Sequence, residues 1–88
     1  MHKKSISIII PIHNEVKTLA SILQSCLQLE PLEIIIVING CIDSSFEIAK
    51  SYGCRILACD EPVNHNVSHA IGAKKAKGDN LLFLDTTV

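Results

Sequence analysis

Polar and acidic residues follow each apolar segment that the sequence predicts to be a strand. In IIIVINGCIDSS, residues 34–45, five branched apolar residues lead directly into Asn39, Gly40 and Asp43. Carboxylate and carbonyl oxygens are the ligands that hard divalent cations prefer, and few basic residues stand beside them here. The pattern therefore favours a metal-bridged phosphate over a clamp of lysine or arginine side chains. The strand-end segments are 11–15, 39–43, 60–61 and 85–87.

Four apolar strands alternate with three helices in the predicted order of elements. The strands are 5–10, which Pro11 closes, then 33–38, 54–59 and 80–84. Asn14 can cap a first helix, and Ser44 with Glu47 fits a capping box that opens a second helix ending at Gly53. A third, alanine-rich helix is predicted over 68–77, with Gly78 after it. The first helix carries one apolar stripe: Val16, Leu19, Ile22, Leu23, Cys26 and Leu27.

Continuous apolar strands separated by helices predict an α/β fold with a mainly parallel sheet covered on both faces. The expected architecture is a three-layer α/β/α, Rossmann-like unit with four strands and three helices, in one domain over 1–88. Ligands bind at the carboxyl ends of the strands in such sheets. The strand-end segments should therefore line one crevice, with the start of the third helix, near His69, facing the same side.

The composition excludes several classes of protein. The chain has 88 residues, a net charge of −1 and three aromatic residues, which gives no general reason to bind nucleic acid. Its four cysteines form no C-x-x-C pair, so a zinc ribbon is not expected. We interpret them as reduced thiols in a cytoplasmic protein. The apolar run after the basic residues 1–4 is too short for an export signal or a membrane span.

Three segments together resemble one family. There is neither a G-x-G-x-x-G nor a G-x-x-x-x-G-K-[ST] motif. Instead SIIIPIHNE, IIIVINGCIDSS and NVSHAIGAKKAKGDNLLFLDTT match, in order and spacing, the motifs of family 2 glycosyltransferases of the GT-A fold. The resemblance spans residues 5–87. It implies the nucleotide-binding half of a GT-A domain, which holds a UDP- or GDP-linked sugar for inverting transfer to an acceptor that the sequence does not identify.

The resemblance also implies roles for individual residues. Pro11, His13, Asn14 and Glu15 would border the base and ribose. Asn39 would read the edge of the base, and Asp43 would support the nucleotide pocket. Asp85 would be the first acid of a D-x-D motif that holds Mg²⁺ or Mn²⁺ on the diphosphate, where the metal neutralises the leaving group. His69 would lie near the phosphates. The implied site residues are Pro11, His13, Asn14, Glu15, Asn39, Asp43, His69 and Asp85.

Four positions depart from the family pattern. His13 replaces a common Tyr, Ile38 replaces an Asp, and His69 stands where Arg is common. Thr87 occupies the position of the second acid of D-x-D, and a hydroxyl is a poorer ligand for a hard cation than a carboxylate. We therefore expect weaker metal binding than in the family, or a ligand supplied by another residue. The family's catalytic base and acceptor site are expected beyond residue 88, so the chain is expected to be a fragment truncated after the D-x-D-like strand end and inactive alone.

Simpler structural interpretations remain open. Asp43 and Asn14 can be helix caps, Glu15 a first-turn charge, and Asn39-Gly40 a tight turn. His13, His65 and His69 could form a zinc site, although H-E-x-x-H is absent. Lys74, Lys75 and Lys77 are expected to form a solvated face.

Two other functions compete with a glycosyltransferase. One is a non-catalytic nucleotide-binding or self-associating module, a homo-oligomer formed through surface that truncation exposes. The other is a different nucleotide domain such as a nucleotidyltransferase, but PIHNEVK has no glycine for a phosphate loop. We expect a cytoplasmic location, peripheral to the inner face of a membrane if a membrane is involved.

Overall fold

The computed structural model describes residues 5–12, 16–39, 44–59 and 65–84 of the chain. Strands and helices alternate through these ranges, as the apolar patterns predict. The four strands are β1 (Ile6–Ile12), β2 (Glu33–Asn39), β3 (Arg55–Cys59) and β4 (Asn80–Phe83). The three helices are α1 (Val16–Leu27), α2 (Ser44–Ser51) and α3 (His65–Lys75).

The strands form one parallel sheet in the order β3-β2-β1-β4. Ile9 of β1 lies between Ile35 of β2 and Phe83 of β4, so β1 is an inner strand. Helices α1 and α2 cover one face of the sheet, and α3 covers the other. The expected three-layer α/β/α architecture with four parallel strands is confirmed.

Alternate residues of β1 and β2 supply the two cores. Ile8, Ile10 and Ile12 face α1 and α2, whereas Ile9 faces α3. All four are at most 1% exposed. Because both faces of these strands are covered, the sequence shows unbroken apolar runs rather than alternation.

Strand β1 continues through Pro11 to Ile12, two residues beyond the predicted end. The Ile6 carbonyl accepts from the Leu32 amide and the Ile9 carbonyl accepts from the Leu84 amide. The odd-numbered residues of β1 therefore direct their backbone polar groups toward β4, and the even-numbered ones toward β2. Among the described residues, the pairing of β1 with β4 ends at Ile9–Phe83. Proline lacks an amide hydrogen, but at position 11 no recorded strand bond requires one.

Helix α2 ends in a Schellman motif at the predicted glycine. Gly53 has a φ of +75°, which L-residues with a side chain adopt at a cost. Its amide donates to the Lys50 carbonyl, and the Cys54 amide donates to the Ala49 carbonyl. These are the two bonds that define the motif, so they satisfy carbonyls that the helix leaves unpaired.

Helix α3 was predicted over 68–77 but occupies His65–Lys75. Its end is set by partners outside the helix. The Lys77 amide donates to the Glu33 carboxylate, and the Gly78 amide donates to the Ser7 hydroxyl at 2.8 Å. Since these amides bond to the sheet, they cannot extend the helix ladder. At the start, residues 65–67 contain no glycine or proline, and the helix includes them before Ser68.

A polar network joins the amino ends of the strands. The fully buried Ser7 hydroxyl donates to Glu33 Oε2 at 2.7 Å, and Glu33 Oε1 lies 3.9 Å from Arg55 Nη1. Arg55 Nη1 also donates to the Lys75 carbonyl at 3.0 Å. A Cβ on Gly78 would overlap the Ser5 carbonyl and the Ser7 hydroxyl, so the turn before β4 needs glycine. The network fixes the point from which β4 begins.

Within the described ranges, no helix has the length and apolar character needed to cross a membrane.

Cys26 and Cys54 are reduced and belong to the core between the sheet and helices α1 and α2. Burial raises the pKa of the Cys54 thiol from 9.0 to about 11, and the neighbouring Cys26 contributes to the rise. Burial also raises the pKa of Cys26. Both thiols are therefore held in the neutral form and are poor nucleophiles at neutral pH.

The raised pKa of Cys54 predicts a loss of stability at high pH. Above pH 9 the unfolded chain releases the thiol proton while the folded chain retains it, so the free energy of unfolding should fall up to about pH 11. Urea unfolding under reducing conditions measures this fall. We expect Cys54→Ala to lose less stability than the parent between these pH values. Parallel pH profiles for the two proteins would contradict the assignment.

Candidate functional site

The carboxyl ends of all four strands lie at one edge of the sheet, because the strands are parallel. We call it the carboxyl edge; it is formed by the ends of β1, β2, β3 and β4. Connections that leave β1 and β2 pass to the α1 and α2 face, whereas α3 returns on the opposite face before β4. The chain therefore diverges between β1 and β4, which is the topological switch point where sheets of this kind bind ligands.

Three of the predicted site residues are described. Pro11 is buried in β1 and pairs with Val37 of β2. Asn39 is the last residue of β2 and pairs with Cys59, so its backbone lies at the carboxyl edge as predicted. His69 lies in the second turn of α3. The other predicted residues lie outside the described ranges: His13, Asn14, Glu15, Asp43 and Asp85.

His69 contacts an aromatic ring of β4. The centroids of the His69 and Phe83 rings are 4.8 Å apart, with an interplanar angle of 48°. Phe83 pairs with Ile9 of β1 and is 43% exposed. The contact therefore places the imidazole beside the β1–β4 switch point. Phe83 itself lies two residues before Asp85 in the sequence. The sequence motifs do not single out Phe83; its place in the alternation of β4 is the signal that could have predicted this contact.

Helix α3 lies unusually close to β1 at Gly72. A Cβ at this position would lie 2.5 Å from Cγ2 of the buried Ile9, inside the distance that real Cβ atoms adopt. Gly72 is one turn after His69, so the same close approach sets the distance of the imidazole from the sheet.

Strand β4 remains bonded to β1 up to the residue that precedes Asp85. The Leu84 amide donates to the Ile9 carbonyl at 3.0 Å. No cluster of three histidine, cysteine or acidic residues suited to a metal occurs within 5–12, 16–39, 44–59 and 65–84. The donors predicted from the sequence, Asp85 with Thr87 two residues later, lie outside these ranges. Such a set suits a cation that also takes phosphate and water oxygens.

Two cavities in the described part of the chain lie away from these residues. The larger, of about 310 Å³, is an apolar groove between α1 and β4. Its lining consists of Ser21, Ile22, Ser25, Cys26, Leu29, Leu82 and Leu84. The smaller, of about 230 Å³, lies beside Glu30, Leu32 and Tyr52, next to the amino ends of the strands. Among the residues that the structure describes, the lining of neither cavity includes Pro11 or His69.

The strand order, the two covered faces and the switch point define a Rossmann-like α/β domain. Comparison with known sequences gives the family. The sequence profile of Glycosyl transferase family 2 matches residues 7–86, and the chain belongs to this family.

Curated relatives include 4,4'-diaponeurosporenoate glycosyltransferases of Staphylococcus aureus. The protein of strain bovine RF122 / ET3-1 is 31% identical over 91 residues, which cover 97% of this chain and 24% of the relative. The protein of strain USA300 is 30% identical over the same shares. This chain thus spans about a quarter of the length of the curated relatives it matches.

Solved structures share the fold. Glucosyl-3-phosphoglycerate synthase from Mycobacterium tuberculosis, in complex with Mn²⁺, UDP and glucosyl-3-phosphoglycerate, aligns with a TM-score of 0.74 and 23% identity. The alignment covers 94% of this chain and 33% of the synthase. Its complex with UDP aligns with a TM-score of 0.75 and covers 97% of this chain and 34% of the synthase.

The close approach at Gly72 predicts that a substitution which favours helix formation will lower the stability of the protein instead of raising it. Gly72→Ala should lower the free energy of unfolding by about 1–3 kcal/mol, because the methyl group overlaps Ile9. Helix propensity alone would raise it by about 1 kcal/mol. Ala70→Gly, at an exposed position of α3, is the control and should lower it by about 1 kcal/mol. Increased stability of Gly72→Ala in urea unfolding would disprove the close packing.

The contact between His69 and Phe83 predicts energetic coupling. A double-mutant cycle with His69→Ala and Phe83→Ala should give a coupling energy of about 0.5–1 kcal/mol, since ring contacts of this kind contribute that much beyond buried area. The cycle separates this contact from the other interactions of each side chain. Additive losses would show that the two rings do not support one another.

Proposed function

We propose that this chain is the donor-binding part of a family 2 glycosyltransferase and binds a UDP-linked sugar at the carboxyl edge. Family membership over residues 7–86 supports this function. The observation that carries the location is the switch point between β1 and β4, beside which His69 rests on Phe83. UDP is favoured over GDP because the mycobacterial synthase of the same fold is bound to UDP.

The residues at the ends of the strands and His69 of α3 each have a proposed role in donor binding. Residues 11–15 continue from β1 and border the base and ribose, through Pro11, His13, Asn14 and Glu15. Asn39, at the end of β2, bonds to the edge of the base, and Asp43 supports this turn. A bound Mg²⁺ or Mn²⁺ supplies positive charge that stabilises the departing diphosphate. Asp85 would hold that cation, and His69 would lie near the phosphates.

The acceptor and the base that activates it belong to other parts of the enzyme in this proposal. The matched region is about a quarter of the length of the curated relatives, so most of their residues have no counterpart in this chain. We therefore expect the 88-residue chain to bind a donor without transferring its sugar. Self-association is the second candidate, because the exposed Leu81 and Phe83 lie on β4, an edge strand of the described sheet.

A calorimetric and NMR titration with UDP, GDP and their sugars, with and without Mn²⁺, tests the donor site. We expect saturable binding of UDP that Mn²⁺ strengthens at least about tenfold, with shifts of the Ile12, Asn39 and Leu84 amides. Asp85→Asn should abolish the effect of Mn²⁺. Asp79→Asn is the matched control, since this exposed acid precedes the opposite end of β4.

Each alternative result has a definite meaning. UDP binding with no response to Mn²⁺ would show that one carboxylate with Thr87 does not hold the cation. A folded protein that binds no nucleotide, and whose mass rises with concentration, would replace the donor site with self-association. Equal effects of Asp79→Asn and Asp85→Asn would remove the assignment of Asp85.

A further inference from the structure

The described basic side chains concentrate where the strands begin. We call this end of the sheet, together with the ends of the three helices that reach it, the amino edge. Lys50 is in the last turn of α2, and Lys74 and Lys75 are in the last turn of α3. Arg55 opens β3, and Lys77 lies in the turn before β4. All five side chains are exposed. The structure describes no other lysine or arginine side chain.

Exposed leucines share the amino edge with these bases. Six large apolar side chains are classed as exposed in the described part of the chain, and four of them are leucines near this end. Leu27, Leu29 and Leu32 surround the connection from α1 to β2, at 44–46% exposure. Leu81 is the second residue of β4, at 41%. The other two, Val67 and Phe83, lie toward the carboxyl edge.

Acidic groups at the amino edge only partly offset the bases. Glu33 is 14% exposed, and its carboxylate accepts bonds from Ser7 and from the Lys77 amide. Glu30 and Asp79 are exposed to solvent. Five bases against three acids leave a net charge of +2 at this edge among described side chains, in a chain whose total charge is −1. The amino edge is thus positive relative to the rest of the protein.

Stability accounts for only part of this arrangement. Lys50, Lys74 and Lys75 complement the dipoles of α2 and α3. Arg55 is held by Glu33 and by the Lys75 carbonyl, but neither this network nor the dipoles require the side chain of Lys77 or explain leucines that remain exposed. A nucleic acid would use the bases but gain nothing from the leucines. The aromatic rings nearest to the bases, Phe46 and Tyr52, are half-buried against the core and are not displayed for base stacking. Bases combined with exposed apolar side chains suit the interface of an anionic bilayer.

We propose that the amino edge docks on an anionic phospholipid membrane. Lys74, Lys75 and Lys77 contact lipid phosphates, and Leu32 and Leu81 enter the interfacial layer. In this orientation the carboxyl edge, at the opposite end of every strand, points away from the lipid and stays open to water. The proposal uses none of the residues of the donor site, so a failed nucleotide titration leaves it intact.

Co-sedimentation with vesicles tests the proposal. We expect the full chain to bind phosphatidylcholine vesicles in which about a third of the lipid is phosphatidylglycerol, and to be released by salt, because screening weakens such contacts. Pure phosphatidylcholine vesicles should bind it poorly. A lysine near an anionic surface contributes about fivefold to binding, so neutralising Lys74, Lys75 and Lys77 to Gln should weaken partitioning about 100-fold.

Matched single variants locate the surface. Lys75→Gln should weaken vesicle binding about fivefold, whereas Lys17→Gln, at the start of α1 and the other end of the sheet, should not change it. Leu32→Ser should weaken binding severalfold, and Val67→Ser, similarly exposed on α3, should have no effect. Circular dichroism verifies that each variant is folded.

Three outcomes would overturn the proposal. One is no binding to the anionic vesicles at low ionic strength, or equal binding to vesicles with and without phosphatidylglycerol. Another is an equal loss of binding in Lys17→Gln and Lys75→Gln. The third is tighter binding to a single-stranded oligonucleotide than to the anionic vesicles at the same ionic strength, which would assign the amino edge to nucleic acid.

Discussion

Strand β1 holds the layers of this protein together. Ile8 and Ile10 face α1 and α2, Ile9 faces α3, and all three are fully buried. Burying one isoleucine side chain stabilises a fold by about 1.5–3 kcal/mol, so three adjacent residues of β1 couple both helical layers to one strand. The same strand pairs with β2 on one side and β4 on the other. The distance between α3 and this strand, set by Gly72 against Ile9, then decides what can lie at the switch point.

The two ends of the sheet have different physical roles, and the parallel topology separates them. At the amino edge, Glu33 joins Ser7, the Lys77 amide and Arg55, and so binds the turn before β4 to the starts of three strands. Strand β4 is anchored at its start and paired along its length with β1, so the position of its carboxyl end is fixed. The polar turns at the other end can therefore differ in sequence without loosening the sheet. This division allows one edge to be rigid while the other accommodates a ligand.

The sequence predicted the architecture well because long apolar runs with helical stripes between them leave few alternatives. Four strands, three helices and a parallel sheet follow from that pattern alone. The order β3-β2-β1-β4 does not, since it depends on which face α3 covers. The predicted end of β1 at residue 10 and the predicted end of the third helix at residue 77 were wrong for the same reason: β1 continues to Ile12 and α3 ends at Lys75. Each is decided by a partner far away in the sequence: Val37 and Ile38 of β2 for the end of β1, and Glu33 and Ser7 for the end of α3.

The position of the carboxyl edge was predictable from the sequence, and one contact beside it was not. Strand ends identify the carboxyl edge, but they do not show that His69 rests on Phe83. An arginine, common at this position in the family that the sequence resembles, can reach a phosphate through a long, adjustable side chain. An imidazole is short, and here a ring of β4 holds it. The position of the imidazole is therefore set by the backbone of α3. That backbone can approach β1 closely because Gly72 has no Cβ. In the proposed donor site, the close approach of α3 to β1 would bring His69 to the phosphates, as a long side chain does for arginine.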